Sequence, residues 1–278
     1  MLPYTVVDAF TSEPLSGNPV AVCFDADHLD ASTMQRIANE MHLSETTFVL
    51  RPSAGGDARV RIFTPVNELP FAGHPILGTA LALAQRNNAW ALELETAMGI
   101  VHIEVEPRGD LRGRVRMSQP VPVSAPYRRS VELLAALGVE APALPVSEYR
   151  NGPRHVLVGL GTLAELSALS PDHRRLAEHE DMAAICFAEA GDHWRMRMFS
   201  PAYGVVEDAA TGSAAGPLAI HLASHGRAGF GDQVRIRQGV ELGRPSDMIA
   251  TAQGSGTGVE SVAVSGDAVT VARGTLLV

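Results

Sequence analysis

A short internal repeat constrains this chain of 278 residues more than any other feature of its sequence. RIFTP at residues 61–65 recurs as RMFSP at residues 197–201, an offset of 197 − 61 = 136 residues. Gly73 and Gly212, which are 212 − 73 = 139 residues apart, each open a stretch rich in Ala, Leu, Ile and Gly. Two matched blocks, in the same order and about half a chain length apart, indicate two copies of one folding unit.

The sequence around the two glycine-led stretches has mostly the pattern of short strands. Residues 74–87 and 213–225 are instead apolar on nearly every side, and such a helix must be buried all round. A buried helix enclosed by strands in each half predicts an α+β fold of two pseudo-symmetric domains, each a curved sheet or barrel around a central helix. We place the N-terminal half at residues 1–118, with a candidate C-terminal strand at residues 268–278, and the C-terminal half at residues 119–278.

Smaller elements follow from local periodicity. Residues 30–41 are predicted to form an amphipathic helix, and residues 133–137 and 163–169 to form short surface helices. The last two predicted strands lie at residues 259–265 and 268–273, with a turn between them.

Charge and hydropathy exclude several classes of protein. The net charge is −9, from 31 acidic and 22 basic residues without a dense basic cluster, which disfavours nucleic acid as a partner. No apolar run approaches the roughly 20 residues that cross a bilayer. The first residues lack the basic start and apolar centre of a signal peptide. We therefore expect a soluble, cytoplasmic protein that binds neither nucleic acid nor membrane.

Two motifs have the spacing of ligand sites but lack the remaining parts of such sites. GLGTLA at residues 159–164 imitates the turn of a dinucleotide-binding unit, yet no parallel β-α-β unit is evident after it. His221 and His225 have the spacing of metal ligands on a helix, but the Glu of an HExxH motif and a third ligand are missing. We interpret His221 as a packed core residue and His225 as a helix C-terminal residue, and predict no metal site.

Two further stretches are interpreted without a ligand. GSGTG at residues 254–258 lies between strand-like runs and is predicted to be a hairpin loop, because no Lys-Ser or Lys-Thr follows it. His173 and His179 lie among Arg and Glu residues and are predicted to be on a solvated surface.

The two predicted helix starts, Gly73-His74 and Gly212-Ser213, are candidate anion sites. A helix N-terminus presents unpaired N–H groups and partial positive charge, and the two starts meet in one cleft if the halves face each other. Simple helix capping by Gly and Ser explains the same residues equally well. Glu45 and Asp208 are the nearest carboxylates in sequence, although an isolated Glu is usually exposed and an Asp is common in turns and caps.

Six segments together resemble the PhzF family of phenazine biosynthesis over the whole chain. They are DAF at 8–10, GNPVA at 17–21, LSETTF at 43–48, FTP at 63–65, FAGHP at 71–75 and EDAATGSAAG at 207–216. NGPRH at residues 151–155 and QGVELGRPS at residues 238–246 resemble the members that act in the phenazine pathway. The resemblance implies a diaminopimelate-epimerase-like fold and a homodimer. It also implies isomerisation of trans-2,3-dihydro-3-hydroxyanthranilate, a small anionic molecule, without a cofactor.

The resemblance also implies roles for individual residues. Glu45 matches the catalytic acid/base that shuttles the proton from C3, and burial in a cleft is expected to raise its pKa. The predicted substrate-binding residues are His74, Asp208, Ser213, Gly73, Gly212 and Ser44.

Rival functions remain open. An isomerase or epimerase of the same family could act on another small cyclic or amino acid, and a non-catalytic binder could use the same cleft. Racemases related to this family that use two thiols place a Cys at each helix start, where this chain has His74 and Ser213. Cys23 and Cys186 fall in predicted strands and are interpreted as small buried hydrophobic residues, which disfavours such a racemase.

Overall fold

The computed structural model describes residues 1–255 and 258–278, so two residues of the predicted hairpin loop at 254–258 lie outside the described residues. The helices are α1 (Ala31–Met41), α2 (Gly73–Asn87), α3 (Ser130–Leu137), α4 (Leu163–Ala168), α5 (His173–Leu176) and α6 (Gly212–Ser224). The strands of the first half are β1 (Leu2–Ala9), β2 (Asn18–Cys23), β3 (Glu45–Leu50), β4 (Ala58–Phe63), β5 (Glu68–Leu69), β6 (Ala91–Thr96), β7 (Gly99–Pro107) and β8 (Arg112–Gln119). The remaining strands are β9 (Val123–Pro126), β10 (Ser147–Arg150), β11 (Arg154–Gly159), β12 (Ala183–Glu189), β13 (Trp194–Ser200), β14 (Val205–Asp208), β15 (Val234–Gln238), β16 (Ser246–Ser255) and β17 (Gly258–Leu276). Within the described ranges, no helix is long and apolar enough to cross a membrane.

A first barrel encloses α2. Its hydrogen-bonded strands follow in the order β1, β2, β3, β4, β6, β7 and β8, and β17 pairs with both β8 and β1 to close the ring. All α2 residues from Gly73 to Ala84 are buried. The helix is apolar on every side because it touches strands all round.

A second barrel encloses α6. Its strands follow in the order β9, β10, β11, β12, β13, β15, β16 and β17, and β17 pairs with β8, whose chain leads into β9. All α6 residues from Gly212 to Leu222 are buried. The predicted architecture, a barrel around a central helix in each half, is confirmed. Because β8 and β17 belong to both barrels, the boundary between residues 118 and 119 stays a prediction.

Two local predictions are wrong. The predicted strands at 259–265 and 268–273 form one strand, β17, because Gly266 and Asp267 between them keep their pairing with β8. His179 is 2% exposed and its Nδ1 lies 2.7 Å from the Tyr127 hydroxyl. The turn after α5 sets His179 three residues beyond buried Leu176, on the same face, so the charged neighbours in sequence do not decide its burial.

The turn at residues 159–164 also differs from the prediction. β11 and β12 are parallel and are joined through α4 and α5, so a β-α-β unit does follow the turn. However, Glu165 Oε2 accepts hydrogen bonds from the backbone N–H of Gly161 at 3.0 Å and of Thr162 at 3.2 Å. A carboxylate of the chain itself therefore occupies the donors that a phosphate would need.

Arg244 fixes the loop that precedes β2. Its guanidinium donates to Asp8 Oδ1 at 2.9 Å and to the carbonyl oxygens of Ser16 and Gly17, both at 2.8 Å. The Asp8 side chain is only 2% exposed. Arg244→Ala is therefore expected to lower the free energy of unfolding by about 3 kcal/mol, since it leaves a buried carboxylate without its cationic partner.

Arg237 provides the matched control, because it makes two hydrogen bonds with Asp247 but the two side chains are 46% and 65% exposed. Arg237→Ala should cost about 0.5 kcal/mol or less. Urea denaturation of both variants measures the difference. Equal losses would contradict the structural role given to Arg244.

Candidate active site

The N-termini of α2 and α6 meet at one cleft between the barrels. A Cβ built on Gly73 would lie 2.5 Å from the carbonyl carbon of Gly212 and closer still to the backbone nitrogen of Ser213, so only glycine fits there. The cleft encloses about 460 Å³ with its open mouth included. Six of the seven predicted site residues line it: Glu45, Gly73, His74, Asp208, Gly212 and Ser213.

Neither helix start is closed by a side chain. α2 begins after Ala72, which has no polar group, and α6 begins after Thr211, whose hydroxyl donates to Asp208 Oδ2 at 2.7 Å instead. α1 and α4 differ, because Asp30 and Thr162 cap them. The capping interpretation of the two central helices is therefore wrong, and their first N–H groups stay available at the cleft wall for an anion.

Glu45 and His74 face each other across this wall. Glu45 is the first residue of β3 and His74 the second of α2, and Glu45 Oε2 lies 3.1 Å from His74 Nε2. The side chains are 12% and 3% exposed. Neither atom makes an aligned hydrogen bond with the described residues. Buried polar atoms without partners are uncommon in the interior of a protein, and here both residues line the cleft, where a ligand could pair with them.

Asn18 fixes His74 and Asp208 relative to each other. Its Nδ2 donates to Asp208 Oδ1 at 2.7 Å and lies 3.1 Å from His74 Nδ1. Ser44 Oγ donates to the same oxygen of Asp208 at 3.3 Å, and Gln238 Nε2 donates to the Asp208 carbonyl at 2.8 Å. Hydrogen bonds from both barrels thus hold one carboxylate and one imidazole in place.

Burial controls the protonation of these groups. It raises the pKa of Glu45 well above its usual value, and the negative charge of Asp208 raises it further. Burial also raises the pKa of Asp208, against hydrogen bonds of which that from Thr211 is the strongest. Burial lowers the pKa of His74 to about 3, and the Ala210 carbonyl opposes only part of this. His74 is therefore neutral at pH 7, beside a carboxyl that can hold and release a proton.

The internal repeat has a counterpart of Glu45 in the second half, but that counterpart is not an acid. Arg61 of the first repeat block is paired with Phe48 on β3. Arg197 of the second block is paired with Cys186 on β12. Three residues earlier on these strands are Glu45 and Ala183, which both line the cleft. The second half therefore has an alanine at the position that matches the glutamate of the first.

Ser44 and three residues outside the predicted site complete this region. Ser44 contacts Asp208 and Asn18 but does not line the cleft. Asn18, Thr211 and His155 were missed as site residues. Each lies in a segment that matches the family, so the segments pointed to them, but only the fold shows which side chains reach the cleft.

His221, His225 and the two cysteines take the structural positions that the sequence predicts. His221 is buried, with Nδ1 3.1 Å from the Tyr149 hydroxyl, and His225 ends α6 with Nδ1 2.8 Å from the His221 carbonyl oxygen. Cys23 and Cys186 are buried, which raises the pKa of each thiol to about 12. No three His, Cys, Asp or Glu side chains in the part of the chain that the structure describes converge as metal ligands.

Two barrels around buried helices, whose uncapped starts meet at a carboxylate-lined cleft, define an α+β protein of the diaminopimelate-epimerase-like class. The chain belongs to the PhzF family, since the family described as PhzC-PhzF, phenazine biosynthesis-like protein, matches residues 7–274. A protein of Pseudomonas aeruginosa named trans-2,3-dihydro-3-hydroxyanthranilate isomerase is 60% identical over 271 residues, which cover 98% of each chain. The predicted family is thereby confirmed.

Solved structures agree with this fold. The structure of a predicted epimerase from Pseudomonas aeruginosa matches with a TM-score of 0.86 at 29% identity and covers 100% of both chains. A Bacillus anthracis phenazine biosynthesis protein of the PhzF family matches with a TM-score of 0.85 at 26% identity, covering 100% of this chain and 99% of that one.

Proposed function

We propose that this chain is an isomerase that converts trans-2,3-dihydro-3-hydroxyanthranilate into its enol and ketone isomer in phenazine biosynthesis. The observation that carries the proposal is the buried Glu45 carboxyl, with an unpartnered oxygen beside neutral His74, in a cleft between two uncapped helix starts. The 60% identity to the Pseudomonas aeruginosa isomerase supports the choice of substrate.

The reaction needs one proton to move and no other reactant. Ionised Glu45 takes the proton from C3, and the electron pair of that C–H bond delocalises through the conjugated diene towards the carboxylate. Protonated Glu45 then returns the proton to the far end of the conjugated system. The product is an enol, which becomes a ketone. One carboxyl serves as base and then as acid, which agrees with an alanine at the matching position of the second half.

The neighbouring groups hold the substrate and stabilise developing charge. The N–H groups at Gly73, Gly212 and Ser213 would donate to the substrate carboxylate. His74 and Asp208 would bind the amine and the hydroxyl, and the bonds from Asn18 hold both side chains in a fixed orientation. Preorganised donors and acceptors of this kind lower a barrier because they need no rearrangement during reaction.

The pH dependence tests the state of Glu45. The base must be ionised, so kcat/KM should rise with pH through the Glu45 pKa, and burial places this acid limb well above pH 4.5, the ordinary value. The charge of Asp208 raises that pKa, so Asp208→Asn should move the limb to lower pH as well as reduce activity. Profiles of kcat/KM for both proteins measure this. An acid limb that stays in place in the variant would contradict the coupling.

The reaction itself is tested in D2O with trans-2,3-dihydro-3-hydroxyanthranilate as substrate. We expect loss of the diene absorbance, and the deuterium content of the product reports how far the shuttled proton exchanges with solvent. An unchanged diene with folded protein would contradict the proposed substrate and favour another small cyclic or amino acid.

We also propose a homodimer in the cytoplasm. The support for the dimer is the family resemblance alone. Sedimentation of the purified protein tests it.

A further inference from the structure

His155 is a buried histidine of the cleft that the mechanism above does not use. It lies in β11, lines the cleft and is 1% exposed. Neither of its ring nitrogens has a hydrogen-bond partner among the described residues. Burial lowers its pKa to about 3, so the ring is neutral at pH 7 and carries one N–H. A buried polar group with no partner is costly unless a ligand or water completes it.

The repeat relates His155 to the surroundings of Glu45. Val20 of β2 is the parallel partner of Glu45, and His155 of β11 is the parallel partner of Ala183. Since Glu45 and Ala183 match in the repeat, Val20 and His155 match as well. The second half therefore has a histidine beside its alanine where the first half has a valine beside its acid. Each half thus places one polar side chain in the cleft at this pair of strands, but on different strands of the pair.

The donors that could hold the substrate carboxylate in the cleft are all uncharged groups. No Lys or Arg lines it within the described ranges, so an anion must be held by neutral donors. Glu45 and Asp208 repel a carboxylate. His74, the other imidazole of the cleft, already lies 3.1 Å from Glu45 and 3.1 Å from Asn18. The ring nitrogens of His155, in contrast, have no hydrogen-bond partner among the described residues.

The hairpin that carries His155 is joined to the start of α6. Asn151, at the turn before β11, donates from Nδ2 to the backbone carbonyl of Ser213 at 2.9 Å. This hydrogen bond links the hairpin of His155 to the start of α6, where the N–H groups of Gly212 and Ser213 are the proposed anion donors.

We infer that His155 is a further substrate-binding residue, which donates a hydrogen bond to the substrate carboxylate and so selects ligands that carry one. The inference rests on the proposed function, because it takes the carboxylate of that substrate as its ligand group.

The test compares two aromatic ligands by titration calorimetry. 3-Hydroxyanthranilate carries the same carboxylate, amine and hydroxyl as the substrate, and 2-aminophenol lacks only the carboxylate. His155→Phe keeps a buried ring but removes both nitrogens. It should weaken 3-hydroxyanthranilate binding about tenfold or more and change 2-aminophenol binding less than about twofold, because a hydrogen bond to a charged group is lost.

Two further variants separate binding from folding. His155→Gln restores a side-chain N–H and should recover part of the preference for the carboxylate. His179→Phe replaces another buried histidine, bonded to Tyr127 away from the cleft lining, and should leave the preference unchanged.

The outcomes distinguish this inference from the proposed function. Turnover of the dihydro substrate, with an unchanged carboxylate preference in His155→Phe, overturns the role of His155 and leaves the reaction standing. A preference that collapses in His155→Phe, without turnover by the wild type, supports His155 and overturns the reaction. Binding of neither compound to folded wild-type protein, together with no turnover of the dihydro substrate, overturns both.

Discussion

Glu45→Gln is expected to lower kcat by about 10⁴-fold and to leave the affinity for 3-hydroxyanthranilate within about threefold of the wild type. The amide keeps the size and one carbonyl oxygen of the carboxyl but can neither take the C3 proton nor return it. No second acid of the repeat can take over, because the matching position is Ala183. Steady-state kinetics with the dihydro substrate, together with calorimetry of the aromatic ligand, measure both quantities.

The same variant contains its own control for folding. The Glu45 pKa is raised in the folded protein, so stability is lost as pH rises from 4.5, the ordinary value, through the folded pKa. Gln has no such loss, and Glu45→Gln should therefore be more stable by about 1 kcal/mol at neutral pH, with the gain vanishing in acid. If the variant is both inactive and unstable, Glu45 has a structural role instead. If the variant retains turnover, the proposed mechanism is wrong.

Gly73→Ala is expected to have the second large effect, on stability and activity together. The added methyl group would meet the backbone of Gly212 and Ser213, where no flexible side chain can yield. The two helix starts must separate, which should cost about 1–3 kcal/mol of stability. Because a displacement near 1 Å can cost about 10²-fold in rate, kcat/KM should fall by about that factor.

Gly161→Ala is the matched control for Gly73→Ala. Its Cβ would lie nearest to the Glu165 carboxylate, at 3.3 Å, and that flexible group can move. We compare the melting temperature and kcat/KM of the two alanine variants. Only Gly73→Ala should lower both strongly, because only Gly73 lies against the backbone of the other helix start. Near-normal activity of Gly73→Ala would show that the helix starts need not touch.

The sequence predicts the framework of this protein better than its details. The repeat and two all-apolar stretches suffice for two enclosed helices, since such a helix has only one kind of environment. The single strand β17 was not predictable, because Gly266 and Asp267 look like a turn until β8 is seen to pair with them. His179 was misjudged for a similar reason: its sequence neighbours are charged, while its structural neighbours are Tyr127 and a buried leucine.

The candidate site divides in the same way. Glu45 and Asp208 were found through family motifs, but an isolated Glu at a strand entrance is ordinarily exposed, so its burial needs the second barrel. His155 lies in the matching segment NGPRH, but nothing in that segment shows that its ring is buried in the cleft, since this burial depends on strands far apart in sequence. The capping interpretation could be rejected only once Thr211 was seen to bond Asp208.

The strand shared by the barrels affects how this chain is made by the ribosome. β1 pairs with β17, which is synthesised much later, and Leu2 is paired with Leu276. Neither ring can close before β17 emerges, so β1 and β8 keep open edges while the nascent chain grows. The two halves therefore cannot fold one after the other as independent units, and the cleft between them forms only after β17 has been synthesised.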